Sequence, residues 1–376
     1  MKKILKKAFK NVLKIFFIFP IKKNRIFFMS FNGKKVGFDS KAFLDWLNEN
    51  NHTKDFEICW GVFSKKVADE LSKSSGYNIK FIKLKSIKGI YYMITSGILI
   101  YNINPPSYIP FRKKQVLVNT WHSISYKKCG KYVAGYDKEQ FNTTTCFLSH
   151  SEKYTEWVIK ESFEFKGDIL NCGVPRNDIF FSDKRYKISE IVRKKLNVEN
   201  KKILLYAPTF RGNFEISKSF IDVKRIKNAL EARFGNQWVI LYRLHPMINI
   251  NSIDINEKCI NVSQYPDMQE LLCASDFLIS DYSGSMWDFS LMKKPVFIYA
   301  DDIDNYENSR GMYLPCEKLP FPLAKNNDEL VDNILNFNEE KYIEKLKDYF
   351  QYMGCFENGT ACEHVYNYIL KKTGDK

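Results

Sequence analysis

The stretch DFLISDYSGSMWDFSLMKKPVFIY, from Asp276 to Tyr299, decides the fold class of this chain. DFLIS and PVFIY are short apolar runs, a pattern typical of strands buried on both faces of a parallel sheet. Between them, the small-residue turn DYSGS leads into a predicted helix from Met286 to Lys293. Strand, turn, helix and strand in this order predict a βαβ unit, with the helix N-terminus facing the space beyond the strand ends.

The start of this helix permits two interpretations. Ser285 and Asp288 have the spacing of a capping box, a hydroxyl and a carboxylate three residues apart. Free N–H groups and the positive end of the helix dipole would also suit a phosphate group. Because the turn lacks the glycine pattern of a P-loop or a dinucleotide fingerprint, the stretch by itself favours a plain helix start without a ligand.

Strand-like and helix-like segments alternate from Arg25 onward. The strand-like runs are IFFMSF, FEICWGVF, SGILIYN, QVLVNTW, CFLSHS and DILNCG, then KILLYA, WVILYR, CINV, DFLIS and PVFIY. The helix-like segments are 40–50, 65–74, 87–95, 152–162, 223–234, 268–274 and 285–293, followed by 341–352 and 360–371. The alternation predicts two parallel α/β domains, and the polar stretch 177–187 reads as the linker between them.

The charge balance indicates an anionic partner. The 376 residues include 58 Lys and Arg against 43 Asp and Glu, a net charge of +15, which suits a bilayer surface, a phosphorylated substrate or nucleic acid. No zinc-finger spacing or RNP-like aromatic motif is present, so nucleic acid is the least favoured of the three. Nine cysteines without a CxxC pair argue against disulfides and a structural zinc site, and for a reducing compartment.

The N-terminus reads MKKILKKAFKNVLKIFFIFPIKKNR. Its apolar run, 12–21, is too short to span a bilayer, and no small-residue cleavage site follows it. Lysines interleaved with large apolar residues suit a helix that lies on an anionic membrane surface. The alternative is an amphipathic helix packed on its own domain. The density of lysines favours membrane contact.

Cationic side chains follow the predicted strands. His122 comes after VLVNTW, and Arg243 and His245 come after WVILY. The others are Lys127, Lys128, Arg176, Arg211 and Arg310. Ligands of parallel α/β folds bind beyond the carboxyl ends of the strands, and guanidinium groups there bind phosphate oxygens. A histidine of near-neutral pKa can take a proton from an attacking hydroxyl. Without a DxD, HExxH or Cys/His metal motif, these cations would stabilise a diphosphate leaving group themselves.

These residues lie in motifs that resemble those of the CDP-glycerol glycerophosphotransferase family, the teichoic-acid and capsule polymer enzymes of bacteria. The matching segments, in the family's order, are FNGKKVGFDSKAF, NTWHSISYKKCG, CGVPRND, LYAPTFRG, RLHP, SDYSGSMWDF, KKPVFIYADDIDNY and SRGMY. They cover roughly residues 25 to 365. The chain departs from the family pattern at Ser123 and Ser125 after the WH motif, and at Gly284 in the turn.

The resemblance implies a GT-B fold of two Rossmann-like domains with a cleft between them. It implies transfer of glycerol phosphate or ribitol phosphate from a CDP-alditol to a hydroxyl of a lipid-linked, undecaprenyl-type acceptor, with release of CMP and no cofactor. His122 would be the general base. The implied site comprises His122 and His245 as catalytic residues, Arg211, Arg243, Asp281, Ser283, Gly284, Ser285, Asp288 and Arg310 around the donor, and Lys127, Lys128 and Arg176 on the acceptor side or at the domain junction. Asp288 would either bind the ribose hydroxyls or only cap its helix.

The sequence patterns and the resemblance together give the expected domains and location. They are a membrane-contact segment at 1–24, an acceptor domain at 25–176, a donor domain at 177–345 and closing helices at 346–376 that cross back to the first domain. The enzyme would act peripherally at the cytoplasmic face of the membrane. Two alternatives remain: a GT-B glycosyltransferase that uses a nucleotide sugar, and an inert membrane adaptor that binds polyanions. The full set of strand-end residues argues against the adaptor.

Overall fold

The computed structural model describes residues 2–74, 79–123, 126–209, 220–244 and 259–374. The chain divides into two compact units. The first unit consists of Met1–His122, Ala134–Asp178 and Phe356–Lys376, and the second consists of Ser123–Val133 and Ile179–Cys355. Among the described residues, no helix is both long and apolar enough to cross a membrane.

The first unit is built on a parallel sheet. Its strands are β1 (Lys22–Met29), β2 (Glu57–Val62), β3 (Lys80–Lys83), β4 (Ser96–Tyr101), β5 (Val116–Asn119), β6 (Cys146–Ser149) and β7 (Asp168–Asn171). In the described residues they form seven strands in the order β3-β2-β1-β4-β5-β6-β7. The ends of β1, β4 and β5 therefore lie side by side at the carboxyl edge of the sheet.

Helices precede and connect these strands. They are α1 (Lys2–Val12), α2 (Phe38–Glu49), α3 (Lys65–Ser74), α4 (Ile87–Thr95) and α5 (Glu152–Tyr154), the last continued by a π-helix over Thr155–Ser162. Short 3-10 helices of the first unit run over Leu13–Ile18, Phe31–Gly33, His52–Asp55 and Lys138–Phe141, Pro175–Phe181 crosses into the second unit, and Gly130–Tyr132 and Cys316–Lys318 lie in the second unit.

The second unit has a second parallel sheet. Its strands are β8 (Lys202–Tyr206), β9 (Trp238–Tyr242), β10 (Cys259–Asn261), β11 (Phe277–Ser280), β12 (Val296–Tyr299) and β13 (Leu323–Ala324), ordered β10-β9-β8-β11-β12-β13. Its helices are α6 (Lys184–Lys195), α7 (Val223–Phe234), α8 (Met268–Ala274), α9 (Ser285–Ser290), α10 (Ile303–Arg310), α11 (Asn327–Leu335) and α12 (Glu339–Met353). β11 precedes α9 in the sequence and β12 follows it, and the two strands pair in parallel. This confirms the βαβ unit predicted from the opening stretch.

The last helix, α13 (Ala361–Thr373), belongs to the first unit. The Asp178 carboxylate, 183 residues earlier, accepts the N–H groups of Ala361 at 3.0 Å and Cys362 at 2.8 Å. Thr360 at the N-cap makes no side-chain capping bond, so Asp178 satisfies two helix donors that would otherwise lack partners. A carboxylate from another part of the chain thus caps α13 in place.

Alternate residues of β1 enter the two halves of the first core. Ile26 and Phe28 join a cluster that includes residues of α2 and α13, whereas Phe27 and Met29 join a second cluster with Leu13 and residues of α4. Both faces of the sheet are therefore covered, which explains why the strands read as continuous apolar runs.

Candidate active site

His122 follows β5 at a strained point of the backbone. Trp121, just before it, has a φ of 56°, a conformation uncommon for a bulky residue. The Trp121 N–H bonds the Asn119 Oδ1 atom at 2.8 Å, and the indole ring packs on Phe163 at a centroid distance of 4.7 Å. Packing and a hydrogen bond thus hold the backbone in a costly conformation next to the candidate base, as often occurs at functional sites.

The His122 ring is oriented by a backbone carbonyl. Its Nδ1 atom lies 3.1 Å from the Asn102 carbonyl oxygen. Because a carbonyl can only accept, Nδ1 carries the proton and Nε2 keeps its lone pair when the ring is neutral. The residue is exposed by surface area, yet desolvation by the protein around it lowers the pKa of the imidazole. The Asn102 carbonyl opposes this shift and the charge of Arg176 adds to it, so the ring is neutral at pH 7.

The loop that follows β1 contacts Asn102, the residue whose carbonyl orients His122. The Phe31 N–H donates to the Asn102 Oδ1 atom at 2.9 Å. Phe31, Asn32 and Gly33 have φ values of 45°, 55° and 77° in succession. A Cβ at Gly33 would lie 2.7 Å from the backbone of Val62 and Phe63, so only glycine fits there. The loop is the FNG part of the first family motif, to which sequence reasoning assigned no functional residue.

Arg176, predicted for the acceptor side or the domain junction, is buried inside the first unit. Its Nη1 atom lies 3.2 and 3.1 Å from the two carboxylate oxygens of Asp39, and its guanidinium lies 4.4 Å from the centre of the Phe38 ring. The side chains of Arg176 and Asp39 are 5% and 0% exposed. The charge of Arg176 therefore acts on His122 from within a buried ion pair.

Two other histidines of the first unit, His150 and His52, have different surroundings. His150 is fully buried against Tyr154, and burial holds the pKa of its imidazole well below the ordinary value. His52 stacks on Tyr366 at 4.2 Å and on Trp46 at 5.4 Å, a half-buried position that its polar loop did not suggest. Neither resembles His122 in combining a fixed Nδ1 atom with an exposed ring.

Lys127 and Lys128 lie in the second unit, where their segment pairs with the SRGMY motif. Lys127 forms an antiparallel bridge with Met312, and the Lys128 N–H donates to the Gly311 carbonyl at 3.0 Å. Gly311 has a φ of 72°, and a Cβ there would lie 3.1 Å from the Lys128 side chain. Two motifs separated by about 180 residues of sequence thus pair in a short antiparallel bridge.

The turn before α9 differs from the predicted capping box. Gly284 is the N-cap residue and Ser285 already lies in the helix, where its hydroxyl donates to the Ser283 Oγ atom at 2.9 Å. Asp288 instead accepts the Gln269 amide at 3.0 Å. The capping box of Ser285 and Asp288 is therefore wrong, because the helix begins one residue earlier than that motif requires. Gly284 has a φ of −63°, so other residues could adopt its conformation.

Asp281 ties this turn to the loop after β8. Its fully buried carboxylate accepts the Thr209 N–H at 2.9 and 3.1 Å and the Tyr282 N–H at 2.7 Å. The Tyr282 ring stacks on Tyr306 of α10 at 3.7 Å, and its hydroxyl donates to Asp302 at 3.0 Å. The ends of β8, β11 and β12 are thereby joined at one edge of the second sheet.

Arg243 follows β9 at the same edge. Its Nη1 atom is buried and has no hydrogen-bond partner among the described residues. Burial lowers the pKa of its guanidinium, and the nearby Asp267 and Tyr265 oppose this effect. A buried cationic donor without a partner is costly, so it is a natural place for a ligand oxygen.

Three predicted donor residues remain without a described side chain. Arg211 and His245 lie outside the described residues, and Arg310 is the last residue of α10 with only its backbone described. Within the described ranges, no group of three histidine, cysteine or acidic residues is arranged to hold a metal ion.

Known proteins match this chain over nearly its whole length. The sequence model of the family described as CDP-Glycerol:Poly(glycerophosphate) glycerophosphotransferase matches residues 11–371. The chain is 28% identical to a teichoic acid poly(glycerol phosphate) polymerase of Bacillus spizizenii, over 98% of this chain and 97% of that relative. It is 29% identical to a teichoic acid glycerol-phosphate transferase of Staphylococcus aureus, over 98% of each.

The fold is similar to that of a solved protein of the same kind. A structure of a variant of the wall teichoic acid polymerase TagF, soaked with CDPG, is 25% identical and superposes with a TM-score of 0.81, covering 100% of this chain and 96% of that one. Together with the two parallel sheets, this likeness confirms the GT-B-like fold class. The chain is a glycerophosphotransferase-like enzyme and belongs to the CDP-glycerol:poly(glycerophosphate) glycerophosphotransferase family.

Proposed function

We propose that this enzyme transfers glycerol phosphate from CDP-glycerol to a hydroxyl group of a lipid-linked acceptor and releases CMP, in the synthesis of a teichoic acid or capsule-type polymer. The observation that carries the proposal is the family match over residues 11–371. The two relatives named for glycerol phosphate favour that donor over CDP-ribitol.

His122 acts as the general base in this reaction. Its neutral Nε2 atom takes the proton of the acceptor hydroxyl, and the acceptor oxygen forms a bond to the β-phosphorus of the donor. The bond between the β-phosphorus and the bridging oxygen breaks, and CMP leaves with that oxygen. Two observations support this role: the bond to Asn102 places the proton of the neutral ring on Nδ1, and the lowered pKa keeps the ring neutral near pH 7.

Cationic and polar groups of the second unit bind the donor diphosphate. Arg243 contributes its buried Nη1 donor. Arg211 and Arg310 add positive charge, and His245 adds a ring nitrogen. The turn Ser283–Ser285 lies at the same sheet edge. Guanidinium groups placed at the leaving group offset the charge that develops on CMP. Asp288 is buried and bonded to Gln269, a position from which it stabilises this turn. Its contact with the ribose hydroxyls stays a prediction.

A donor screen tests the reaction. The purified enzyme is incubated with a lipid-linked glycerol-phosphate acceptor and, separately, CDP-glycerol, CDP-ribitol or UDP-sugars. We expect acceptor-dependent CMP release and an acceptor mass increase of one or more glycerol-phosphate units with CDP-glycerol alone. An increase in acceptor mass with CDP-ribitol would show that the transferred alditol is ribitol instead of glycerol. Transfer from a UDP-sugar with release of UDP would replace the proposal with the glycosyltransferase alternative.

We also propose that the N-terminal segment binds the cytoplasmic face of the cell membrane. Leu13 is buried in the first core and Phe16 packs on Tyr91, so one side of the segment is attached to its own unit. The other side exposes Val12, Ile15 and Ile18, which are 66%, 72% and 81% exposed. Lys6, Lys7 and Lys14 are exposed beside them. Apolar side chains bordered by lysines suit insertion into an anionic headgroup layer.

Vesicle binding tests this contact. The double variant Ile15→Ser with Ile18→Ser removes two exposed apolar groups, and we expect it to bind phosphatidylglycerol vesicles about tenfold to a hundredfold more weakly in co-sedimentation. Ile191→Ser, at a residue 57% exposed in the second unit, is the matched control and should bind as the parent does. Equal binding by the parent, the double variant and Ile191→Ser would show that these side chains do not contact the membrane.

A further inference from the structure

Asn102 occupies the middle of the carboxyl edge of the first sheet. It follows β4, which lies between β1 and β5, and it is 0% exposed. The neighbouring strand end is fixed to the same place, because the Thr120 N–H donates to the Tyr101 carbonyl at 2.9 Å. Asn102 is thus held between the loop that follows β1 and the loop that carries His122.

The backbone and the side chain of Asn102 each bond to one of these two loops. Its backbone carbonyl lies 3.1 Å from the His122 Nδ1 atom, and its side-chain Oδ1 atom accepts the Phe31 N–H at 2.9 Å. The second bond assigns the amide, since only the oxygen can accept from an N–H group. Any displacement of the β1 loop that pulled on this side chain would also move the carbonyl that orients the imidazole.

The β1 loop that bonds to Asn102 has a restricted backbone conformation. Phe31 and Asn32 are non-glycine residues with positive φ, and Gly33 has no room for a side chain. Such conformations cost free energy and persist only where neighbouring contacts fix them. The Oδ1 atom of Asn102 supplies one of those contacts in a place without solvent.

The remaining group of Asn102 is a buried donor. Its Nδ2 atom is buried and makes no hydrogen bond to any described residue. Two charged groups lie on the neighbouring elements: the Arg176–Asp39 pair, whose arginine acts on His122, and Lys35, whose ammonium lies 4.7 Å from the centre of the Phe31 ring. An apolar residue would supply the same backbone carbonyl without the cost of a buried amide donor, so what asparagine adds at this position is its side-chain acceptor.

We propose that Asn102 is a positioning residue for His122: its carbonyl fixes the imidazole as the Nδ1–H tautomer, and its side chain holds the strained β1 loop that keeps the carbonyl in place. The proposal rests on the proposed function only in taking His122 as the base. Asn102 itself does not touch the substrate.

The first test is the tautomer, which is measured without any substrate. Nitrogen-15 NMR of histidine-labelled enzyme above pH 7, with His122→Ala used to assign the signal, should show protonated Nδ1 and unprotonated Nε2 in His122. A ring with its proton on Nε2 would overturn the proposal, whatever the enzyme's activity proves to be.

The second test separates positioning from general folding. Asn102→Ala removes the acceptor of the Phe31 N–H, and we expect kcat to fall about tenfold to a hundredfold while KM for CDP-glycerol changes less than about twofold. Asn102→Asp keeps an acceptor oxygen and should recover most of kcat. Asn48→Ala and Asn48→Asp, on the exposed side of α2, are the matched controls and should leave kcat unchanged.

Each other outcome decides against the proposal. A parental kcat for Asn102→Ala would show that the side chain positions nothing. Equal losses for Asn102→Ala and Asn102→Asp across the pH range would show that the hydrogen bond to Phe31 is irrelevant. If the tautomer is as stated but His122→Ala keeps its activity, the assignment of His122 as the base fails, and with it the positioning role of Asn102, while the geometry stands.

Discussion

His122→Ala should lower kcat by roughly 10²–10⁴-fold and leave the affinity for CDP-glycerol nearly unchanged. The variant loses the Nε2 atom that takes the acceptor proton, whereas the donor-binding groups belong to other motifs. The measurement is acceptor-dependent CMP release at saturating donor, with donor affinity from calorimetry. His364→Ala, on the exposed side of α13, is the control and should retain parental turnover.

The pH profile provides an independent check of the same residue. A general base must be unprotonated, so turnover should rise with pH through the pKa of His122. Desolvation lowers that pKa, so the acid limb of the parental enzyme should lie below the ordinary histidine value of 6.5. His122→Ala should lack this limb. An acid limb that persists unchanged in the variant, or parental turnover, would refute the assignment of the base.

Asp39→Ala should reduce the free energy of unfolding by about 3–5 kcal/mol, because it leaves the buried Arg176 guanidinium without its carboxylate. Both side chains are almost fully buried, and the Nη1 atom lies 3.1 Å from the nearer carboxylate oxygen. Urea unfolding followed by circular dichroism measures the loss. The double variant Asp39→Ala with Arg176→Met should regain part of it, since no buried charge then remains.

The same helix offers a control for this ion pair. Lys41 and Asp45 form a pair at 2.7 Å on α2, with both side chains about one-third exposed. Asp45→Ala should cost no more than about 1 kcal/mol, as is usual for exposed pairs. If Asp39→Ala costs no more than Asp45→Ala, the buried pair does not stabilise the first unit.

Much of the fold follows from local sequence signals. The helices α7 and α8 have the predicted bounds because each begins after an aspartate that caps it, Asp222 and Asp267, and α7 ends at Gly235. The helix α6 is not among the predicted helices, and its first residues lie in the stretch 177–187 that the sequence predicts to be a linker. Ile188, Ile191 and Val192 have helical spacing, but Val192 is the one buried residue of α6 and Ile191 is 57% exposed, so the apolar positions of this helix do not mark a core-facing stripe.

The candidate site was predictable only where a side chain marks a strand end. That rule pointed to His122 and Arg243, both of which lie at the carboxyl edge of a sheet. It could not find Asn102, whose link to His122 is a backbone carbonyl that no residue type announces. It also could not show that Arg176 pairs with Asp39, because the two residues are 137 positions apart. Long-range pairing of charges depends on the folded core.

The return of α13 to the first unit affects how the protein is made. Its residues complete an apolar cluster whose earlier members end at Val174, 187 positions before Ala361. At roughly 5–20 residues per second, a ribosome needs roughly 10–40 s to synthesise that interval. During this time one face of the first sheet is covered by α2 but not yet by α13. We therefore expect the nascent chain to depend on chaperones, and expression to be sensitive to any change that weakens the docking of its final helix.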